Sequence, residues 1–318
     1  MRSLLRRPEL APLVLLVVAF ILAARASHSF LDLSYLLDTT TLHAETALMA
    51  LGMTLVIISG NIDLSPASNL ALTACIVAKL NAAGLHPILT VLAAVSIGGA
   101  LGAVNGVLVA YGKLPSFLVT LGTLALYRGA AQALTGSAPV TIPNPLTGAD
   151  KLLILGVPFP FVVVLAIATL AGLLLHRTIF GRWTYAVGMN EGAARFSAVP
   201  ASAVKFWCFT LLGCLSGLSA ILLLSRLGVA RYDLAQGQEL DVITAVLLGG
   251  ASLTGGKGTV VGTMLAVALV AVVRAGMGLR DWPAEHQLAL IGALLVGAAL
   301  ATGGLEKLAA WTRVVREV

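Results

Sequence analysis

RTIFGRWTYAVGMNEGAARFSAVPASAVK, residues Arg177 to Lys205, is a polar island between two long apolar runs in a chain that otherwise reads as lipid-soluble helix. Four basic residues, Arg177, Arg182, Arg195 and Lys205, stand against the single acid Glu191, which assigns the stretch to the cytoplasmic side of a membrane. Asn190 is placed to cap a short helix, Glu191 falls in its first turn where the helix dipole favours an anion, and Pro200 follows its end. The expectation is a short amphipathic helix lying flat at the cytoplasmic surface, read either as a docking surface or as an ordinary basic loop.

Composition agrees with the class this island implies. The 318 residues are 58% hydrophobic and only 11% charged, with a mean hydropathy of +0.98, far from the roughly 25% charge of soluble domains. The expected fold is an all-α polytopic helical bundle forming a single transmembrane domain over residues 1–318. The net charge of +6 does not indicate nucleic acid, because the basic residues lie in loops and at helix ends and form no stripe with interleaved aromatics. Cys75, Cys208 and Cys214 are an odd number in apolar runs without a C-x-x-C pair, so neither a disulfide framework nor a zinc site is implied.

A window of about twenty residues marks apolar segments at approximately 11–28, 46–59, 67–83, 87–110, 116–135, 157–176, 204–225, 241–252, 259–276 and 286–303. The first follows Arg2, Arg6 and Arg7 and reads as a retained helix. About ten crossings with both termini cytoplasmic put Lys113, Arg177, Arg182, Arg195, Lys205 and Lys257 inside. The same topology puts Glu45, Asp150, Asp233, Glu239 and Asp241 in external loops.

Two segments are too short to cross a core of about 30 Å as straight helices. The first breaks near 60–66, at Gly60-Asn61-Ile62-Asp63-Leu64-Ser65-Pro66. Gly60 permits unusual backbone angles, Ser65 is a plausible N-cap and Pro66 suits the first turn of the next helix. Unwound backbone at membrane depth needs protein or a water-filled cavity to satisfy it, and transporters place substrate at such breaks. Asp63 there either contacts cargo or only caps a helix. The second short segment ends in the glycine-rich stretch Gly249 to Thr259, which is not a P-loop: Ala251 stands where the first glycine is needed and Gly258 follows Lys257. Its glycines suit close helix approach or a tight cytoplasmic turn.

Catalytic chemistry is missing. His28, His43, His86, His176 and His286 are scattered, and there is no H-E-x-x-H, G-x-S-x-G or pair of intramembrane carboxylates, so no catalytic residue, metal site or enzyme activity is expected. Charges inside the spans are few, namely Asp63, Lys79, Arg128 and Arg274. Neutral hydrogen-bonding groups are commoner: Asn61, Asn105, Thr120, Thr123 and Gln132 suit a hydroxyl-rich uncharged cargo, or serve as glue between helices. Small residues at Gly98, Gly102 and Gly106, and at Gly213 and Gly217, indicate tight helix packing.

Four ordered motifs carry a family resemblance. They are Ile58-Ser59-Gly60-Asn61-Ile62-Asp63-Leu64-Ser65; Pro115 to Thr123 with Arg128-Gly129; Phe180-Gly181-Arg182 through Gly188, Asn190, Ala193, Ala194, Arg195 and Ser197; and Glu239-Leu240-Asp241 through Gly249-Gly250 to Gly258-Thr259. On these the chain, from about Glu45 to Leu305, resembles a permease subunit of the ribose-type family of ABC importers, whose members also serve xylose, arabinose, galactose, rhamnose and autoinducer-2. Asn61 stands where the family usually has a second glycine, Pro66-Ala67 where Val-Gly is common, and Ala198-Val199 where Gly-Ile is usual.

The resemblance implies a monosaccharide importer in the bacterial inner membrane. Its parts would be a second permease copy or paralogue, a cytoplasmic ATPase that binds the ATP, and a periplasmic or lipid-anchored sugar-binding protein, with no cofactor in this chain. The substrate path is then expected at Asn61, Asp63, Ser65, Asn105, Thr120, Thr123, Arg128 and Gln132. ATPase coupling falls to a segment of about 177–205, through Arg182, Gly188, Asn190, Glu191 and Arg195. Alternatives are a stand-alone ion-coupled secondary transporter using Asp63 with Arg128, or an ABC permease for nucleosides or branched-chain amino acids.

Overall fold

Apolar segments in lipid must satisfy their own backbone groups, and here they do so as helices. A computed structural model describes residues 9–136, 138–142, 148–283, 285–287, 289–294 and 296–297. The main helices are α1 (Leu10–Ala26), α3 (Ala44–Ile58), α4 (Pro66–Ala82), α5 (Pro87–Ala110), α6 (Ser116–Thr135), α7 (Phe159–Arg177), α10 (Ala201–Leu227), α11 (Gln238–Leu248) and α12 (Val260–Gly278). Between them lie α2 (Leu33–Leu42), α8 (Ile179–Met189) and α9 (Glu191–Phe196). The chain is an all-α polytopic membrane bundle.

Nine of the ten apolar segments fall on a helix, and in the tenth, 286–303, the described residues 286–287, 289–294 and 296–297 are helical as well. Among the described residues, α5, α6, α7, α10 and α12 are each long and apolar enough to cross a membrane, and α2 with α3, bent by 50° at His43, make a sixth such span. The 11 residues of α11 rise only about 16 Å. The glycine-rich stretch after it, Gly249 to Thr259, completes the distance to α8 before α12 turns back.

At the centre is α3, whose every residue is buried, as expected of a helix apolar on all sides. Largely buried α10 packs along it, while α5, α6 and α7 turn much of their surface outward. The α5–α10 crossing is as close as the small-residue spacing indicates. A Cβ on Gly98 would collide with the Gly213 carbonyl oxygen, and one on Gly213 with the Gly98 carbonyl oxygen. Such backbone contact drives helix association where lipid removes the hydrophobic gain.

The end of the bundle away from 177–205 is closed by two short strand pairs. β1 (Val140–Thr141) pairs antiparallel with β4 (Val229–Ala230), and β2 (Leu153–Ile154) with β3 (Val157–Pro158).

This end also corrects the reading of the acids. Glu45 and Asp241, expected in external loops, lie inside α3 and α11 at 1% and 6% exposure. Glu45 is paired with Arg226 of α10, and Asp241 with Arg274 of α12 at 2.7 Å. The partners stand 181 and 33 residues away in sequence, beyond any local pattern. Asp233, by contrast, is at the surface and pairs with neighbouring Arg231 at 2.6 Å.

Candidate functional site

The break after α3 is built from its backbone outward. The helix ends as Gly60 takes φ +80, with Gly60 N–H donating to the Ile57 carbonyl at 2.9 Å and Asn61 N–H to Val56 at 3.1 Å. A stretch without regular structure follows until Pro66 opens α4 at its first turn. Ser65 occupies the N-cap position without capping. Its hydroxyl and its N–H both donate to Asp63 Oδ1 at 2.7 Å, so the Asp63 carboxylate folds the turn and leaves Ser65 no free direction toward the helix.

Neighbouring helices satisfy the rest of the unwound backbone. Asn105 of α5 donates to Ser65 Oγ at 2.8 Å and more distantly to Asp63 Oδ2 at 3.4 Å. Ser116 Oγ accepts from the Ile62 N–H at 3.2 Å, and Thr120 Oγ1 donates to the Ile62 carbonyl at 3.4 Å. Asn61 stays local, donating to the carbonyl and hydroxyl of Ser59. Asn61, Asp63, Ser65, Asn105 and Thr120 therefore converge on one buried cluster, with Asp63 at 2% exposure.

The remaining expected path residues climb away from this cluster along α6. Thr123 is buried and donates to the Thr120 carbonyl at 3.3 Å. Arg128 is further along, and its Nη1 donates to the Tyr232 and Leu234 carbonyls, each at 2.7 Å, which anchors the loop after β4. Gln132 follows one turn later on the exposed side of the helix. Asp63 and Arg128 are not paired with each other; each holds other groups.

The polar segment is two helices rather than one. Thr178 caps α8 by accepting from Gly181 N–H at 3.2 Å, and Asn190 caps α9 by accepting from Ala193 N–H at 3.0 Å, the cap its sequence position indicated. Glu191 bonds both Arg195, at 2.7 Å, and Lys205 at the start of α10. Partial burial pushes its carboxyl up, but the bonds to Lys205 and Arg195 outweigh this and hold it below the ordinary carboxylate range.

Arg182, Asn190 and Arg195 are exposed, whereas Gly188 is half-buried and its Cβ direction faces inward, where a Cβ would collide with the Ile58 carbonyl oxygen. Sequence reasoning passed over Phe196 and Met189, which are 96% and 75% exposed beside the charged groups. Two apolar side chains among the charged groups of this polar segment were the available signal.

The break and the polar segment share one cleft of about 640 Å³. Gly60 and Asn61 line it from the break, Glu191, Arg195 and Lys205 from the polar segment, and Lys113, Pro115 and Ser116 from the turn between α5 and α6. Three cations against one carboxylate make it a basic, open cavity. Among the described residues no group of three or more His, Cys, Asp or Glu is placed to hold a metal ion.

Comparison with known proteins gives a consistent result. Residues 35–299 match the family described as branched-chain amino acid transport system / permease component. The chain is 36% identical over 287 residues to the ribose import permease protein of Bacillus subtilis (strain 168), covering 89% of each chain. It is 33% identical over 287 residues to the autoinducer 2 import system permease protein of Photorhabdus luminescens, covering 88% of this chain and 86% of the other. The ribose import permease protein of Escherichia coli (strain K12) is 35% identical over 286 residues. No solved structure matches.

Proposed function

The chain belongs to the family of transport-system permease components just described, and from that premise we propose that it carries a monosaccharide inward across the bacterial inner membrane as part of an ATP-driven importer. It is a permease and not an enzyme. The relatives named for ribose and autoinducer 2 import support a pentose, hexose or deoxyhexose as cargo. So does the neutral hydrogen-bonding character of Asn61, Ser65, Asn105, Thr120 and Thr123, which suits hydroxyl groups.

The observation that carries this reading is the shared cleft. Residues of the break and of the segment 177–205 face one cavity, so a movement of the segment alters the surroundings of the break directly. In this reading a cytoplasmic ATPase binds the ATP and docks on exposed Arg182, Asn190 and Arg195 and half-buried Glu191, with Phe196 as an apolar anchor. A sugar-binding protein delivers cargo at the opposite end, and a second permease copy or paralogue completes the path. Coupling then requires contacts that differ between two states, not tight binding in one.

The ion-coupled alternative needs Asp63 and Arg128 as a pair, yet the carboxylate is engaged by Ser65 and the guanidinium by two carbonyls on another loop. An amino-acid cargo would ask the same two groups to be free.

The test is purification of the chain from native membranes, with ATPase activity of the eluate measured against a panel of pentoses, hexoses and deoxyhexoses. Recovery of an ATPase subunit with sugar-stimulated turnover is the expected outcome. A lone protein that drives uptake in vesicles without ATP would overturn the reading.

A further inference from the structure

Three stretches far apart in sequence meet backbone to backbone where α8 ends. The first is the C-terminus of α3, where the Ile58 carbonyl is one of the orphan acceptors every helix leaves at its end. Its partner is the Gly256 N–H at 2.8 Å, almost two hundred residues away in the loop between α11 and α12. The second is Gly188, one residue before the end of α8. A Cβ on it would collide with the Ile58 carbonyl oxygen and stand 2.5 Å from the Gly256 nitrogen.

The third stretch is the loop itself. A Cβ on Gly255 would lie 2.7 Å from the Gly188 carbonyl oxygen and 2.8 Å from the Gly60 Cα, and one on Gly256 would lie 2.5 Å from Met189 Cγ. Gly60, Gly255 and Gly256 all hold positive φ, at +80, +84 and +72. Tyr185, one turn before Gly188, adds a side-chain tie by donating its hydroxyl to the Gly258 carbonyl at 2.7 Å. Burial pushes that phenol up to about 12, with Glu9 adding to the rise, so the hydroxyl stays a neutral donor.

We propose that Tyr185, Gly188, Gly255 and Gly256 form a rigid junction that passes movement of the segment 177–205 to the break after α3, a role that rests on the importer reading above. Gly188 then acts inward as a positioning residue and not as part of the surface an ATPase touches. The physical basis is the absence of side chains at the contact. Where two backbones touch directly there is no rotamer to absorb a displacement, so a shift of α8 must move the Ile58–Gly60 turn with it. That turn leads within five residues to Asp63 and Ser65, which Asn105 holds. The loop at 255–256 is the third leg, because it supplies the donor that fixes the end of α3.

The junction is tested in the assembled complex with Tyr185→Phe and Gly188→Ala. The expected result is normal recovery of the ATPase with the permease and retained ATP hydrolysis. Sugar molecules moved per ATP should fall about threefold for Tyr185→Phe and about tenfold for Gly188→Ala, the range of coupling effects from residues between two sites. A merely structural role would lower yield and both activities together and leave that ratio unchanged, which would overturn the proposal. So would a lowered ATPase recovery in Gly188→Ala in which the complexes that do assemble keep the ratio intact.

A second measurement does not depend on the ATPase. Leu64→Cys reports the break by its rate of labelling with a water-soluble maleimide, and Leu155→Cys, on the fully exposed β2–β3 turn, is the control. Tyr185→Phe should change labelling at position 64 about threefold or more and leave position 155 unaffected. Equal rates at position 64 with and without Tyr185→Phe would overturn the junction even if no ATPase is found, whereas absence of an ATPase with altered labelling would sink only the importer reading.

Discussion

Glu45 and Glu191 each bond an arginine, at opposite ends of the bundle and under opposite conditions. Glu45 is 1% exposed inside α3, and Arg226 is its partner across a helix interface. Glu191 stands at the surface and shares Arg195 and Lys205. Desolvation makes the first pair costly to break, because removing one partner leaves a charge stranded in a low-dielectric interior. Water screens the second triad, so its members can separate and re-form cheaply. One end of the molecule is held by buried ion pairs, and the other by capping groups, neutral hydrogen bonds and backbone contact. That division suits a bundle with one firm end and one end that moves.

The most severe disturbance should come at the firm end. Arg226→Met is expected to cost about 3–5 kcal/mol by stranding Glu45, read as a fall in thermal unfolding midpoint in detergent, with Glu45→Gln added to the same chain restoring much of it. Equal stability of the single and double variants would remove the distinction between the two ends.

At the break, Asn105→Leu withdraws the donor to Ser65 Oγ and Asp63 Oδ2. A loss of about 1–3 kcal/mol follows from leaving buried acceptors unmet, together with impaired uptake. An unchanged unfolding midpoint would mean that the Asp63 turn is satisfied without α5.

Asn190→Ala removes the α9 cap and should cost about 1 kcal/mol locally, seen as faster hydrogen exchange at Ala193 and Ala194 while the global midpoint holds. If the whole bundle were destabilised instead, α9 would belong to the firm part of the structure.

The smallest effect is one of pH. Because the Glu191 carboxyl is held below its ordinary value, its contribution is fully present above the unfolded value of about 4.3 and is lost as pH falls through the lowered folded value. Acidification through that window should loosen α9 by no more than about 1 kcal/mol, the scale of an exposed pair. Glu191→Gln should abolish the pH response, and a response that persists in that variant would place its origin in another group.

Much of this was legible before any coordinates. The apolar runs, the polar interruption at 177–205, the Asn190 cap, the glycine spacing of α5 and α10 and the break at 60–66 are local signals, encoded within one or two helical turns. Ser65 shows where local reading stops: it sits at the N-cap position, yet its hydroxyl is claimed by Asp63, a choice set by the turn and by Asn105 some forty residues on.

Hydropathy, charge asymmetry and capping pattern, properties of neighbours in sequence, determined that this chain is a helical membrane protein with a polar segment between spans and a helix interrupted near Gly60. Only the tertiary structure decided that Glu45 and Asp241 are buried partners of Arg226 and Arg274, that Gly188 faces inward, and that the break lies against the polar segment. Those outcomes depend on which helix faces meet after packing, and side chains separated by 33 to 181 residues leave no mark on each other's local sequence.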